Sequence, residues 1–409
     1  ATLTPAFPRY ARLHGGRPLK PNACYGSGRL AVLRPRSGGL AAFDEAGNPM
    51  KRERKRCCHV SELLEIVAAQ APTLRKRGEE IERLGRLPED ILAWIYDHRL
   101  FKLLIPEELG GRPTPLPEML RIFDELSAAD GTVGWLVQIG AGGGYFAPSF
   151  DAETVRELLG PRAAVIAGSG FPAGRARRVE GGYLVTGRWR YASGAPYATV
   201  FTASAVLEDD GSETIRAFAF TPDQVEVVED WGAFGLKGTA SHTMVVRDAF
   251  VPERRMFMVG DMRWPVTDPV AAALYRVPFD IFAVLAIASV SVGLARRFFE
   301  LARELPRWES LGSRRRQADT VAEYRALFHL LGERVWSYAA AGQELPAAEK
   351  ATILQTVQRL VAASVAAVQD AFAYMGMRVL WENEPINRVY RDLQTASHHV
   401  FLRPPEKPN

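Results

Sequence analysis

The spacing of apolar residues along the chain changes twice. From Ser61 onward Leu63, Val67 and Ala71 recur at four-residue steps, which predicts a helix. Ser61 stands at its N-cap, and Glu62 and Glu65 occupy the first turn, where the helix dipole favours acids. Pro88 suits the first position of a second helix, "PEDILAWIYDHRL". "IPEELGG" reads as a loop closed by Gly110 and Gly111, and "PEMLRIFDELSAADGTVGWLVQIGAGGGYF" as a helix pair broken at Asp130-Gly131.

At about residue 163 the period becomes two. In "RRVEGGYLVTGRWRYASG", Tyr183, Val185, Trp189 and Tyr191 alternate with Leu184, Thr186, Arg188 and Arg190. Gly181 and Gly182 sit where a hairpin turn needs positive φ. "TVFTASAVL", "IRAFAFT", "VEVVEDW" and "HTMVVRDAFVP" supply further strands, so an antiparallel β domain is expected. After Pro265 the helical period returns and holds through "NRVYRDLQTASHHVF". The predicted domains are therefore 57–162 (helical), 163–262 (β) and 263–409 (a helical bundle with a short tail).

Residues 1–56 show neither period. They hold 12 Lys/Arg against 3 Asp/Glu, leaving 39 against 44 for the rest of a chain whose formal net charge is +4. A disordered basic extension is expected there, not necessarily native coding sequence, since the first methionine is Met50. "KRERKRCC" also fits a basic address or nucleic-acid patch. It is no signal peptide, because it lacks an apolar segment. The three cysteines, Cys24, Cys57 and Cys58, lie in or beside this stretch, so no disulfide framework is expected in the folded body. "FDIFAVLAIASVSVGLA" (Phe279 to Ala295) comes closest to a membrane span and is read as the central helix of a bundle.

Chemical motifs are sparse. There is no P-loop, no zinc-type His spacing and no nucleophile elbow, and "GSGFPAG" precedes a strand, unlike a dinucleotide-binding turn. His98, His242 and His329 stand alone and read as structural. His398 and His399 are adjacent at the end of the last helix, as either a polar helix end or reacting groups.

The order of elements, with "LFKLLIPEELGG", "GGYLVTGRWRYASGAPYATVF" and "WGAFGLKGTASHTMVVRDAFVPERR", resembles the acyl-CoA dehydrogenase superfamily over about 340 residues. "RLGRLPEDIL", "AADGTVGW", "LYRVPF" and "RVYRDLQTASHH" are similar to its two-component flavin monooxygenase branch, which includes dibenzothiophene monooxygenase and the oxygenase component of p-hydroxyphenylacetate hydroxylase. The resemblance implies an α+β fold with an N-terminal helical domain, a middle antiparallel β domain and a C-terminal four-helix bundle. It further implies a cytoplasmic homotetramer with neither membrane nor nucleic-acid partner, no metal, and a separate flavin reductase. Reduced FMN (FAD as the alternative) and O2 would oxidise a small apolar or aromatic substrate through a C4a-peroxyflavin.

Residue by residue, His399 matches the histidine near the flavin, and Ser169 a hydroxyl near flavin N5. Tyr191 and Ser193 match residues covering the ring and bonding its pyrimidine side, and Arg276 an arginine that binds the phosphate. Trp135 and Tyr145 are expected as pocket walls. Gly143 stands where phenol-oxidising members place a histidine, so phenol hydroxylation is not implied. The glycines at 140 and 142–144 are expected to make room for a bulky ligand. The glutamate of true acyl-CoA dehydrogenases is absent, since Ala283 and His399 hold the two usual positions. Two alternatives remain: an acyl-CoA dehydrogenase with FAD and an electron-transfer flavoprotein, and a non-catalytic binding protein on the same fold.

Overall fold

The computed structural model describes residues 61–208 and 214–403, and the backbone of 32–36 and 39–43. Two units separate, Ala1–Val60 and Ser61–Asn409. In the first, β1 (Val32–Arg36) and β2 (Gly39–Phe43) pair as an antiparallel hairpin. The rest of the expected disordered extension lies outside the described residues.

The second unit starts with α1 (Glu62–Leu84), α2 (Glu89–Asp97), α3 (Leu116–Ala129), α4 (Gly131–Gly142) and α5 (Ala152–Leu159). Ser61 caps α1, accepting from the Leu64 N–H at 3.2 Å. The break between α3 and α4 is a cap as well, because the buried Asp130 carboxylate accepts from the Val133 N–H at 3.1 Å.

Seven strands follow: β3 (Ile166–Val179), β4 (Gly182–Ala192), β5 (Val200–Leu207), β6 (Ile215–Phe220), β7 (Glu226–Val228), β8 (His242–Pro252) and β9 (Met256–Phe257). They form one sheet in the order β7-β8-β4-β3-β5-β6-β9. The sheet expected to be antiparallel is mixed, because β3 and β5 run parallel. β8 takes the free edge of β4, so the chain leaving β4 crosses to the far side of β3 and must run alongside it. At the β3–β4 turn only Gly181 takes positive φ (+77°), while Gly182 already pairs with Val179.

The C-terminal helices are α6 (Pro269–Arg276), α7 (Phe279–Arg303), α8 (Arg315–Ala340), α9 (Ala347–Ala373) and α10 (Pro385–Ser397). α7 is apolar on every side and long enough to cross a membrane, yet 83% of its most apolar window is buried within the fold. It is the central bundle helix, as a helix hydrophobic all round should be. Gly293 lets it approach α3 so closely that a Cβ there would lie 2.4 Å from the Asp124 carbonyl oxygen.

Candidate active site

The site is built where α4, α7 and the end of α10 meet the β sheet. α10 grips the segment between β7 and β8. The Leu236 N–H donates to Asp392 at 2.6 Å, the Gly235 N–H donates to the Thr395 hydroxyl at 2.9 Å, and Arg391 donates to the Phe234 carbonyl at 3.2 Å. Only glycine fits at 235, where a Cβ would stand 2.2 Å from the Arg391 carbonyl. Burial, then the charge of Asp130, pushes the Asp392 carboxyl up to about 7.

From that anchored segment a file of hydroxyls runs to α4. Thr239 donates to the Leu236 carbonyl (2.8 Å), Ser241 lies 2.7 Å from Thr239, Ser193 lies 2.7 Å from Ser241, and the Trp135 indole N–H donates to Ser193 at 2.9 Å. Each hydroxyl owns one proton, and the carbonyl at the end can only accept. The file therefore has one direction, Trp135 to Ser193 to Ser241 to Thr239 to Leu236. Ser193 keeps a lone pair for a ligand but no free proton.

Aromatic contacts run in a chain beside this file. Trp135 meets His399 edge-on (centroids 5.9 Å), and His399 stacks on Phe401 (5.6 Å), which contacts Phe279 (6.3 Å). Phe279 packs on Tyr145 (5.2 Å), which stacks on Phe282 (5.2 Å). The Tyr145 hydroxyl donates to the Val277 carbonyl at 2.7 Å, and burial pushes its pKa up to about 12.

Burial, with a smaller contribution from Arg403, pushes the His399 imidazole down to about 4, so it is neutral at pH 7. Its Nδ1 accepts from the Phe401 N–H over a long 3.4 Å, which leaves the proton on Nε2. His398 is exposed, with Nδ1 2.6 Å from the Gln394 carbonyl oxygen. The two histidines diverge because α10 stops at Ser397. His398 is still helical (φ −81°, ψ −2°), whereas His399 is extended (φ −61°, ψ 139°) and turns inward.

Other expected residues fall differently. Ser169 is half-buried where the β3–β5 register jumps between Ser169 and Gly174. Tyr191 and Ser193 do not share a strand face. The β4–β8 register shifts between Trp189 and Ala192, Tyr191 takes φ +71°, and the Ser193 N–H folds back onto the Tyr191 carbonyl. Ser193 is consequently buried, while Tyr191 is 64% exposed, its ring edge-on to Trp231 at 6.2 Å.

Gly143 is no pocket residue. A Cβ there would lie 2.6 Å from Ile166, so the missing side chain admits β3 rather than a ligand. Gly140 and Gly144 likewise face Phe101 and Ile105, and only Gly142 has ordinary room, facing Gln138 and Phe282. Arg276 is exposed at the end of α6, beside Val277, without an ion pair to a described residue.

The structure thus joins Trp135, Ser193, Tyr145 and His399 in one contact network, and leaves Ser169, Tyr191 and Arg276 outside it. Space is free above Gly170 and Gly232, and Phe171 (73%) and Phe234 (59%) are exposed with Tyr191. Exposed aromatics of this size mark an interaction surface.

Residues 285–404 match the family model described as acyl-CoA dehydrogenase, C-terminal domain, which spans most of the bundle. Over these residues the chain is similar to the acyl-CoA dehydrogenase superfamily. The chain is 28% identical over 346 residues to indole-3-acetate monooxygenase of Pseudomonas putida, covering 80% of this chain and 87% of that one. It is 27% identical over 355 residues to the flavin-dependent monooxygenase oxygenase subunit HsaA of Mycobacterium tuberculosis, covering 81% and 90%. The solved structure of XiaF from Streptomyces sp., in complex with FADH2 and glycerol, superposes with a TM-score of 0.74 at 24% identity, covering 84% and 91%, and shares the superfamily fold.

Proposed function

We propose that this chain is the oxygenase component of a two-component flavin monooxygenase, taking reduced FMN from a separate reductase and oxidising a small aromatic or heteroatom-containing molecule with O2. The observation that carries this reading is a neutral, inward-turned His399 in a chain of aromatic contacts that contains no carboxylate. Proton abstraction beside a thioester needs such a carboxylate. Asp280, whose charge acts on the Tyr145 hydroxyl, is paired with Lys350 at 2.9 Å.

Reduced flavin, when bound, supplies the electrons that activate O2. The chain's own residues do the rest. Trp135, Tyr145, Phe279, Phe282 and Phe401 exclude water from the reacting space. His399 Nε2–H, on a neutral ring, offers one positioned hydrogen-bond donor there. Ser193, its own proton committed, accepts from a ring N–H. Tyr191 covers the ring, Ser169 presents a hydroxyl to it, and Arg276 holds the phosphate that favours FMN. A homotetramer would cover apolar side chains left bare on the bundle, among them Leu330 (64% exposed), Met377 (74%) and Trp381 (64%).

The test is product and H2O2 yield per reduced flavin, for FMN and FAD separately. His399→Ala should bind flavin normally yet lose roughly 10²–10⁴-fold in product, releasing H2O2 instead, whereas His398→Ala should be mild. Steady reduction of an electron-transfer flavoprotein by an acyl-CoA would overturn the proposal.

A further inference from the structure

Ionisable side chains meet where α1, α4 and α10 close on the segment between β7 and β8: Glu82 from α1, Asp130 at the cap of α4, Lys237 from the segment, and Arg388, Arg391 and Asp392 from α10. Glu82 is held by Arg391 at 2.9 Å and by Lys237 at 3.0 Å. Among the described residues this leaves Arg388 to face both aspartates, its guanidinium laid against Gly78 of α1, where a Cβ would meet it at 2.5 Å. Both aspartates are buried, so one carboxyl is in surplus where water cannot solvate its charge. A buried carboxyl without a counter-ion keeps its proton. The Asp130 carboxylate is committed to capping α4, and its charge bears on Asp392. The proton therefore falls to Asp392, whose Oδ1 accepts the Leu236 N–H and whose Oδ2 lies 2.7 Å from where a Cβ on Gly131 would stand.

The segment that Asp392 holds is strained. Leu236 (φ +52°) and Ala240 (φ +44°) both take left-handed backbone, which a side chain disfavours. It also reaches the site. The Thr239 carbonyl accepts the Gly194 N–H at 2.9 Å, and the Ser241 hydroxyl lies 2.7 Å from Ser193. Release at Leu236 is therefore felt at Ser193.

Resting on the monooxygenase reading above, in which Ser193 faces the flavin, we infer that Asp392 is a positioning residue: its own proton latches the 235–241 segment to α4 and α10, and losing that proton frees the segment and Ser193 with it. In the closed segment burial, then the Asp130 charge, holds the Asp392 carboxyl up to about 7. Once the segment opens into water it is an ordinary acid at 3.8. Between those values the closed form binds a proton that the open form releases. Each pH unit upward thus eases opening by about tenfold, and the effect levels off above 7.

The test is amide hydrogen exchange of the full-length protein, followed by mass spectrometry on peptides spanning 231–241, with α7 as the reference, from about pH 5 to pH 8. Chemical exchange rates are common to parent and variants, so ratios between them report opening alone. In the parent, opening of the segment should grow by about tenfold per pH unit up to about 7, while α7 stays protected. Asp392→Asn keeps an acceptor for the Leu236 N–H but has no proton to lose, so its opening should be independent of pH. Asp130→Asn keeps the cap and removes the neighbouring charge, so its rise should end at lower pH; it serves if the other variant does not fold.

A flat parent, the parent's slope retained in both variants, or exchange of the segment only in step with α7 would overturn the inference. Reduced FMN, added anaerobically, should slow exchange of the segment in the parent, because a flavin held by Ser193 favours the closed form. A pH-dependent segment that reduced FMN leaves untouched would sink the flavin reading and spare the latch.

Discussion

Acidification should expose the burial of His399 as a loss of stability that its replacement abolishes. The folded protein holds this imidazole near 4, against 6.5 ordinarily, so between these values the unfolded chain binds a proton that the folded chain refuses. The stabilisation is fully present above pH 6.5 and is lost as pH falls through 4. At pH 5 the loss amounts to about 2 kcal/mol, out of about 3 kcal/mol in all. Asp392 works in the opposite sense over the same range. Its carboxyl is held up near 7, so the folded protein binds the extra proton and loses stability as pH rises. The parent's total pH dependence therefore mixes two signs, and only a difference against a variant isolates the histidine. Urea unfolding of the parent and of His399→Leu at pH 5.0 and 7.5 gives that difference. The parent should lose about 2 kcal/mol more than the variant on acidification, and the exchange of the His399 C2–H should titrate with a midpoint near 4. Equal losses in the two proteins, or a midpoint at 6.5 or above, would refute the buried, neutral imidazole.

Ser193→Ala should leave the Trp135 N–H without its acceptor, destabilising by about 1–3 kcal/mol and weakening flavin binding, as thermal melting and flavin titration will show. Tyr191→Gly should relieve a left-handed backbone worth about 1 kcal/mol while lowering flavin affinity, and a fall in stability would mean the ring fixes the turn. Asp392→Asn keeps an acceptor for the Leu236 N–H but removes the raised acid, so it should be more stable than the parent at pH 8, with the advantage shrinking as pH falls and gone only below the ordinary value of 3.8; denaturation at pH 8 and below that value checks this.

Elements were legible where a local rule governs them. Ser61 and Asp130 announce helix starts because an N-cap is a property of one side chain and the next three residues. The α–β–α order followed from periodicity for the same reason. The β3–β5 pairing was not legible, because a strand of period two carries no record of which neighbour it will run beside. Tyr191 was misplaced because alternation fails at a bulge, and nothing in "RYASG" marks one. The glycines of "GAGGGYF" were read as space for a ligand, but all except Gly142 admit Phe101, Ile105 or Ile166, contacts more than 20 residues away in sequence. His399 faces inward because the helix ends before it, not because of its angle around the helix, and the sequence pattern carries no sign of that.

The one-way file from Trp135 to the Leu236 carbonyl has a consequence for traffic rather than for shape. A relay can carry protons only if every hydroxyl can turn round, and here the last acceptor has no proton to give back. The file is a dead end, able to hold a ligand but unable to feed it. Whatever proton the reaction consumes cannot come through the hydroxyls behind Ser193, so the file fixes how a ligand is held without setting how quickly the site is ready for another turnover.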